Sequence, residues 1–370
     1  MHRSLLKATL VAVVALLLII PVVVALAASG GDEVGQSSVV KRLPWIDVRG
    51  NKLVERDGDP IRLLGVNRPG AEYRCVEGDA VFEGPIDGAS VRAMKKWHIN
   101  AVRVPLNESC WLGLGRIPSH LAGEAYRGAI REFVQRLERA GLYVILDLHW
   151  VAPGEHTATG LPPMADADHA PDFWRSVAAE YRDDRAVLFD VYNEPHDISW
   201  ECWRDGCDAN DNYFGGYRAA GMQELVDAVR STGAQQPILL GGLDWSRDLS
   251  GWLEYLPSDP AGALVAANHT YNFNACYGPC RTDLVRIARR FPVVTSEFGE
   301  DDCTHRYIDP YMRWADRHGI SYLGWAWYTA DDTDCYNGPT LIRDYEGNPT
   351  RFGKGLREHL RELHGDKRRR

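Results

Sequence analysis

Basic residues are in deficit in this chain. It carries 42 lysines and arginines against 51 aspartates and glutamates, a net charge of −9. No basic stripe runs through its body, and the one basic run is the tail Lys367–Arg370, which reads as a solvated terminus. This argues against a nucleic-acid partner and a polyanionic substrate, and is compatible with a neutral polymer. The sequence also lacks an internal repeat and any low-complexity break after Pro44. It has no tight CxxC pair of the kind a zinc ribbon uses. Asp147, Glu155, His156, Asp168 and His169 are ligand types, but their spacing matches no recognisable metal set, so neither metal nor cofactor is expected. No Gly-rich phosphate turn follows the first β-rich run, where Asn67-Arg68-Pro69-Gly70 stands instead. An open, doubly wound sheet usually carries one there.

What is present begins with a leader. Arg3 and Lys7 precede an apolar run from Ala8 to Ala28 that ends in Ala25-Leu26-Ala27. Residues 1–28 therefore read as a secretory signal cleaved near Ala27. The rival is an uncleaved anchor, since the run is long enough to span a bilayer at about 20 residues, making residues 8–28 a membrane tether. Both readings put the rest of the chain outside the cytoplasm. A polar Gly/Ser-rich linker follows, so residues 29–44 separate the leader from one domain over 45–370. Eight cysteines agree with export and with disulfides. The close pairs Cys202/Cys207 and Cys276/Cys280 would each staple a loop. Cys75/Cys110 and Cys303/Cys335 would tie longer ones.

Within the domain, short β-rich runs alternate with amphipathic stretches of helical period. The runs are Ile61–Asn67, Ala101–Pro105, Tyr143–His149, Leu188–Asn193, Pro237–Gly242, Leu264–Asn268, Val293–Glu297 and Tyr322–Trp327. Helices are expected at Glu124–Ala140, Asp172–Arg182, Tyr213–Arg230, Thr282–Arg290, Pro310–His318 and Arg351–Leu363. This alternation predicts an α/β fold, a (β/α)8 TIM barrel preceded by a short N-terminal hairpin, Trp45–Glu55, and carrying disulfide-tied loops. Arg103, His149, Asn193, Glu194, His269, Glu297 and Trp325 fall at or near strand C-terminal ends, the face where a barrel of this kind builds its active site.

Two glutamates end apolar runs. Glu194 lies in Tyr192-Asn193-Glu194-Pro195 after the fourth strand, and Glu297 in Ser296-Glu297-Phe298-Gly299 after the seventh. A carboxyl group there is costly without a partner or a function. Cleavage of a glycosidic bond without a cofactor takes two of them. These motifs resemble glycoside hydrolase family 5, the cellulase family of retaining enzymes. So do Arg103 in Val102-Arg103-Val104-Pro105, His149 in Asp147-Leu148-His149-Trp150, His269 and Tyr271 in Asn268-His269-Thr270-Tyr271, and Trp325 in Gly324-Trp325-Ala326-Trp327. The resemblance runs from about Trp45 to Leu360.

The resemblance implies roles. Glu194 would be the acid/base and Glu297 the nucleophile. Arg103 would hold Glu297 in its charged form, and Tyr271 would donate a hydrogen bond to it. Asn193 would contact the sugar 2-hydroxyl, His149 and His269 would line the cleavage subsite, and Trp325 would form its floor. It implies a monomer acting on an extracellular oligo- or polysaccharide, foremost as an endo-β-1,4-glucanase. The rivals are the same chemistry on mannan, xyloglucan, β-1,3-glucan or a cell-envelope glycan, an exo-glycosidase, and a non-catalytic carbohydrate-binding barrel. Asp190 and Glu300 neighbour the motif glutamates, and Glu300 reads as a residue of a solvated loop. Trp327 shares a strand face with Trp325 and is either cleft or core. Trp111, Trp150, Trp200, Trp203 and Trp245 fall in expected loops, as sugar platforms or as packing anchors. The segments Trp200–Cys207, Asn272–Cys280 and Asp331–Cys335 depart from simple cellulases, where specificity is set.

Overall fold

The computed structural model describes residues 43–329 and 338–367. The leader, the linker up to residue 42 and Cys335 with its acidic loop lie outside the described residues.

The described residues begin with an antiparallel hairpin, β1 (Ile46–Arg49) and β2 (Lys52–Glu55), turned at Gly50 with φ of 60°. A two-residue strand, β3 (Pro60–Ile61), pairs with β2 and makes the expected hairpin a three-stranded sheet. Eight parallel strands then close a barrel: β4 (Leu64–Asn67), β5 (Ala101–Asn107), β6 (Tyr143–Trp150), β7 (Val187–Asp190), β10 (Ile238–Gly241), β11 (Leu264–Tyr271), β12 (Val293–Gly299) and β13 (Ser321–Gly324). Each of the eight expected runs overlaps a barrel strand, though Ile61 falls in β3 and the strands in Leu188–Asn193 and Tyr322–Trp327 end at Asp190 and Gly324. Six expected helices also form in whole or in part, the longest being Glu124–Arg139 and Arg351–Lys367.

One expectation fails in part. The stretch Tyr213–Arg230 is helical only from Met222. Its first half belongs to an inserted antiparallel hairpin, β8 (Cys207–Asp211) and β9 (Gly215–Ala219). Gly215, Gly216 and the β-preferring Tyr217 disfavour a helix there, and the Cys202–Cys207 bond anchors the outgoing strand. The disulfides Cys75–Cys110 and Cys276–Cys280 also form as expected. The proposed partner of Cys303 lies outside the described residues.

The period-two alternation of the strands sorts the core into two zones. Ala101, Ile145, Leu188, Leu239, Val265, Val294 and Leu323 fill the lower barrel interior, and Ile46 and Leu53 of the hairpin pack against them to close the N-terminal end. The alternate positions, Val102, Val144, Leu146 and Phe189, belong to the larger cluster under the helices. Two residues beyond the inward apolar positions come Arg103, Asp147 and Asp190. The same inner face therefore turns from apolar to charged toward the strands' C-terminal ends.

Candidate active site

Arg103 stands at the centre of that charged layer. Expected near a strand end, it lies deeper: β5 runs on to Asn107, so the guanidinium is inside the barrel and fully buried. Its Nε donates to Asp190 Oδ2 at 2.9 Å. Nη1 donates to Asn67 Oδ1 at 3.0 Å and to Glu297 Oε1 at 2.7 Å. Nη2 donates to Asn193 Oδ1 at 2.8 Å and lies 3.0 Å from Asp147 Oδ1. A planar fork with five N–H groups can hold this many partners at once, whereas an ammonium cannot.

Glu297 reaches the interior through an irregularity. Asn268 pairs with Thr295, but His269 pairs with Glu297, so β12 carries one extra residue. Thr295 and Phe298 both turn to Tyr311 in the helix layer, the first by a 2.6 Å hydrogen bond and the second by ring contact. Ser296 and Glu297 are left together on the inner side, as a β-bulge allows. Glu297 Oε2 accepts a 2.5 Å hydrogen bond from the Tyr271 hydroxyl. Only 4% of its side chain is exposed.

Glu194 comes from the segment after β7. Asn193 Nδ2 donates to Glu194 Oε2 at 3.2 Å, and His269 Nδ1 lies 2.9 Å from Glu194 Oε1. The Ser246 hydroxyl donates to the Asn193 carbonyl at 2.8 Å. A side chain at position 241 would collide with that hydroxyl, since an added Cβ would come within 2.3 Å, which explains Gly241. One oxygen of Glu194, one of Glu297 and His269 Nδ1 all lie within 4.8 Å of one another. These three are also the one group among the described residues whose composition could hold a metal ion. The Arg103 guanidinium already sits on Glu297, so a cation there would meet a positive neighbour.

Burial decides the protonation of the site. It pushes the Glu194 carboxyl up from its usual range, against the pull of His149 and Arg103. It pushes Asp147 up to about 7 and raises Asp190 well above its usual value, in both cases against Arg103. Burial also lowers His149 to about 4 and His269 to about 3, so both imidazoles are neutral at ordinary pH. His149 Nδ1 is held by Asp147 Oδ2 at 2.6 Å, and its ring stacks on Trp325 at 5.5 Å and 14°. His269 Nε2 meets the Ser296 hydroxyl at 3.1 Å.

The eight residues expected at the site, Arg103, His149, Asn193, Glu194, His269, Tyr271, Glu297 and Trp325, thus converge on one end of the barrel. Several others need correction or addition. Glu300 is not in solvent. It is 1% exposed and accepts the Tyr307 and Ile308 N–H groups at 2.7 and 2.8 Å, satisfying donors at the start of the helix Ile308–His318. Trp327 is core, packed edge-on against Trp97 at 4.9 Å. Trp111 and Trp203 are buried anchors, whereas Trp150 and Trp200 are partly exposed. Trp245 is 40% exposed and stacks on His196 at 3.8 Å, two residues from Glu194. Asn67, Asp147 and Asp190 were not among the expected site residues. The signal for them was present, since each lies on the inner face of a strand at or beside a quoted motif.

Comparison with known proteins adds a family. A model described as "Cellulase (glycosyl hydrolase family 5)" matches residues 54–331. Endoglucanase E-5 of Thermobifida fusca is 22% identical over 322 residues, 82% of this chain and 59% of the relative. Endoglucanase MaCel5A of Microbulbifer sp. (strain ALW1) is 24% identical over 349 residues, 88% of this chain and again 59% of the relative. The chain therefore spans well under two thirds of the length of these curated relatives. Among solved structures, β-glucanase SdGluc5_26A of Saccharophagus degradans, in complex with cellotetraose, aligns with a TM-score of 0.66 at 20% identity, covering 87% of this chain and 94% of that one. The catalytic domain of Thermobifida fusca endoglucanase Cel5A aligns with a TM-score of 0.59 at 18% identity, covering 86% and 97%. These structural likenesses are likenesses of fold.

Proposed function

The chain belongs to glycosyl hydrolase family 5, and from that premise we propose that it is a retaining β-glycoside hydrolase, an endo-β-1,4-glucanase of extracellular polysaccharide. The observation that carries the reading is that one oxygen of Glu194 and one of Glu297 lie within 4.8 Å of each other. A retaining pair of carboxyl groups stands roughly 5–5.5 Å apart, and an inverting pair about 6.5–9.5 Å, to admit water between them.

In this reading Glu194, whose protonated form burial favours, donates its proton to the glycosidic oxygen. Glu297 attacks the anomeric carbon, oriented by Arg103 and Tyr271. The leaving chain departs as an alcohol, and a glycosyl ester forms on Glu297. Esterification removes the neighbouring negative charge, so Glu194 then ionises more readily and takes a proton from the attacking water. The water oxygen replaces Glu297, and the product keeps its anomeric configuration. Asn193 binds the 2-hydroxyl, with its amide fixed by Arg103 and Glu194. Neutral His149 and His269 line the subsite, and Trp325 offers its face to the sugar ring.

The relatives named as endoglucanases and the neighbour holding cellotetraose favour a β-1,4-glucan. The three disulfides among the described residues suit an oxidising compartment outside the cytoplasm. Export would follow cleavage near Ala27, with residues 8–28 acting as a tether if cleavage fails, and the enzyme would work as a monomer without a cofactor. The test is a panel of purified polysaccharides and nitrophenyl glycosides, with NMR of the first-formed product. Shortening of soluble cellulose derivatives with a retained anomer supports the proposal. Activity confined to another glycan refutes the substrate, and an inverted anomer refutes the mechanism.

A further inference from the structure

A second pair of buried carboxyl groups, distinct from the catalytic pair, lies on the loops that follow the barrel strands. Glu108 follows β5 and opens the short helix Glu108–Leu112, which the Cys75–Cys110 bond ties down. Asp166 lies in the long loop after β6 and pairs with Ala219 of the inserted hairpin. Flanking hydrogen bonds, Ala167 N–H to the Arg218 carbonyl and Ala220 N–H to the Ala165 carbonyl, are each 2.8 Å. Three loops of the barrel mouth therefore meet at this point.

Both side chains are fully buried. Glu108 Oε2 accepts the Ala152 N–H at 3.2 Å, and Asp166 Oδ1 accepts the His169 N–H at 2.8 Å. The remaining oxygens, Glu108 Oε1 and Asp166 Oδ2, receive no N–H or O–H from elsewhere. The two carboxyl groups are within hydrogen-bonding reach of each other. The titratable groups that act on them are Asp168 and His169 on the same loop, Tyr192 beyond β7, and Tyr217 on β9. Of these only His169 can favour an anion, and its ring nitrogen is engaged with the Gly154 carbonyl at 2.7 Å.

Two carboxylates in contact in a dry site cannot both be charged. We propose that Glu108 and Asp166 share one proton, and that this proton is a pH-sensitive latch joining the loop after β6 to the end of β5 and to the inserted hairpin. Burial acts in the required direction, raising both carboxyl groups, Glu108 well above its usual range. Loss of the proton places two negative charges side by side and parts the loops. The sign of the linkage follows. The folded chain keeps a proton that the unfolded chain has released, so the stabilisation is full below the ordinary carboxyl pKa and is lost as pH rises toward that of the pair. Across this window the unfolding equilibrium constant rises about tenfold per pH unit from the pair alone.

Glu108→Gln tests the latch. The amide accepts the Ala152 N–H and donates permanently to Asp166, so no proton need be held. Thermal midpoints of wild type and variant are measured from pH 4 to 9, in chelator and in added calcium. Amide hydrogen-exchange protection is followed over residues 151–169. The expected result is that the wild type loses midpoint and loop protection as pH rises, while the variant loses clearly less of both. Parallel pH profiles overturn the proposal. A wild-type midpoint that calcium raises and chelator lowers, with no such response in the variant, also overturns it, because the pair would then hold a cation and not a proton. If Glu108→Gln does not fold, Asp166→Asn, which still accepts the His169 N–H, takes its place. If neither folds, a wild-type loop whose protection is unchanged from pH 4 to 9 overturns the latch.

Discussion

Replacing Arg103 with lysine keeps the charge and removes the fork. The guanidinium serves five partners at 2.7–3.0 Å: Asn67, Glu297, Asn193, Asp190 and Asp147. An ammonium has three donors, so at least two partners are left unserved. With hydrogen bonds to charged groups worth about 1.5–3 kcal/mol, the loss is about 3–6 kcal/mol. A native domain has only about 5–15 kcal/mol in hand, so the variant keeps a much reduced margin, and for a domain of this size its midpoint falls by about 4–9 °C. Arg103→Met removes the cation altogether and leaves Asp147, Asp190 and Glu297 facing one another without compensation, a cost of about 3–5 kcal/mol or more. That cost depends on pH. Protonation discharges the carboxyl groups, so Arg103→Met should be hurt less at pH 4.5 than at pH 8, whereas Arg103→Lys should be hurt similarly at both. Calorimetry or near-UV dichroism melts at the two pH values measure this. A lysine variant within about 2 °C of wild type, or a methionine variant equally damaged at both pH values, would refute the role given to the fork.

The two neighbouring tryptophans should fail differently. Trp327→Ala empties a fully buried site and should cost about 3–5 kcal/mol of stability, whereas Trp325→Ala should leave the midpoint nearly unchanged and raise KM for soluble glucans. Opening the Cys75–Cys110 bond by double alanine replacement should destabilise by about 4 kcal/mol, against about 2 kcal/mol for Cys202–Cys207, because the closed loops differ in length. Denaturant titration ranks the two, and the reverse order would mean the long loop is already ordered when unfolded. His149 and His269, lowered to about 4 and 3, should show imidazole NMR signals that do not titrate between pH 5.5 and 8. A midpoint near 6.5 for either would place that ring in water.

The barrel was legible because each strand carries its own signal. A run such as Tyr143–Trp150 is apolar, β-rich and flanked by helical periodicity, and a parallel sheet buries both of its faces. The catalytic pair was legible because Glu194 and Glu297 each interrupt such a run, and because short motifs surround them. What was hidden depends on tertiary neighbours. Glu300 follows a glycine and looks like loop, yet it is drawn under the start of a helix whose N–H groups need an acceptor. Tyr213–Arg230 has helical composition only in its second half, and the hairpin in the first half is set by a disulfide and by pairing with a distant loop. The extra residue in β12 that turns both Ser296 and Glu297 inward leaves no mark on the local pattern. Asp147 and Asp190 stand at or beside the quoted motifs, and only the position of Arg103 between them shows that they belong to the site.

Azide rescue of the two glutamate variants tests the central assignment most directly. An activated aryl β-glycoside needs little protonation to leave, so Glu194→Ala should still form the glycosyl ester and then stall without a base. Added azide should restore turnover and yield a glycosyl azide of retained configuration. Glu297→Ala lacks the nucleophile, so every substrate should suffer whatever its leaving group, and any azide adduct it forms should be inverted. Retained azide from Glu297→Ala with none from Glu194→Ala would reverse the two roles. Full activity of both variants on a confirmed substrate would contradict the two-carboxylate account itself.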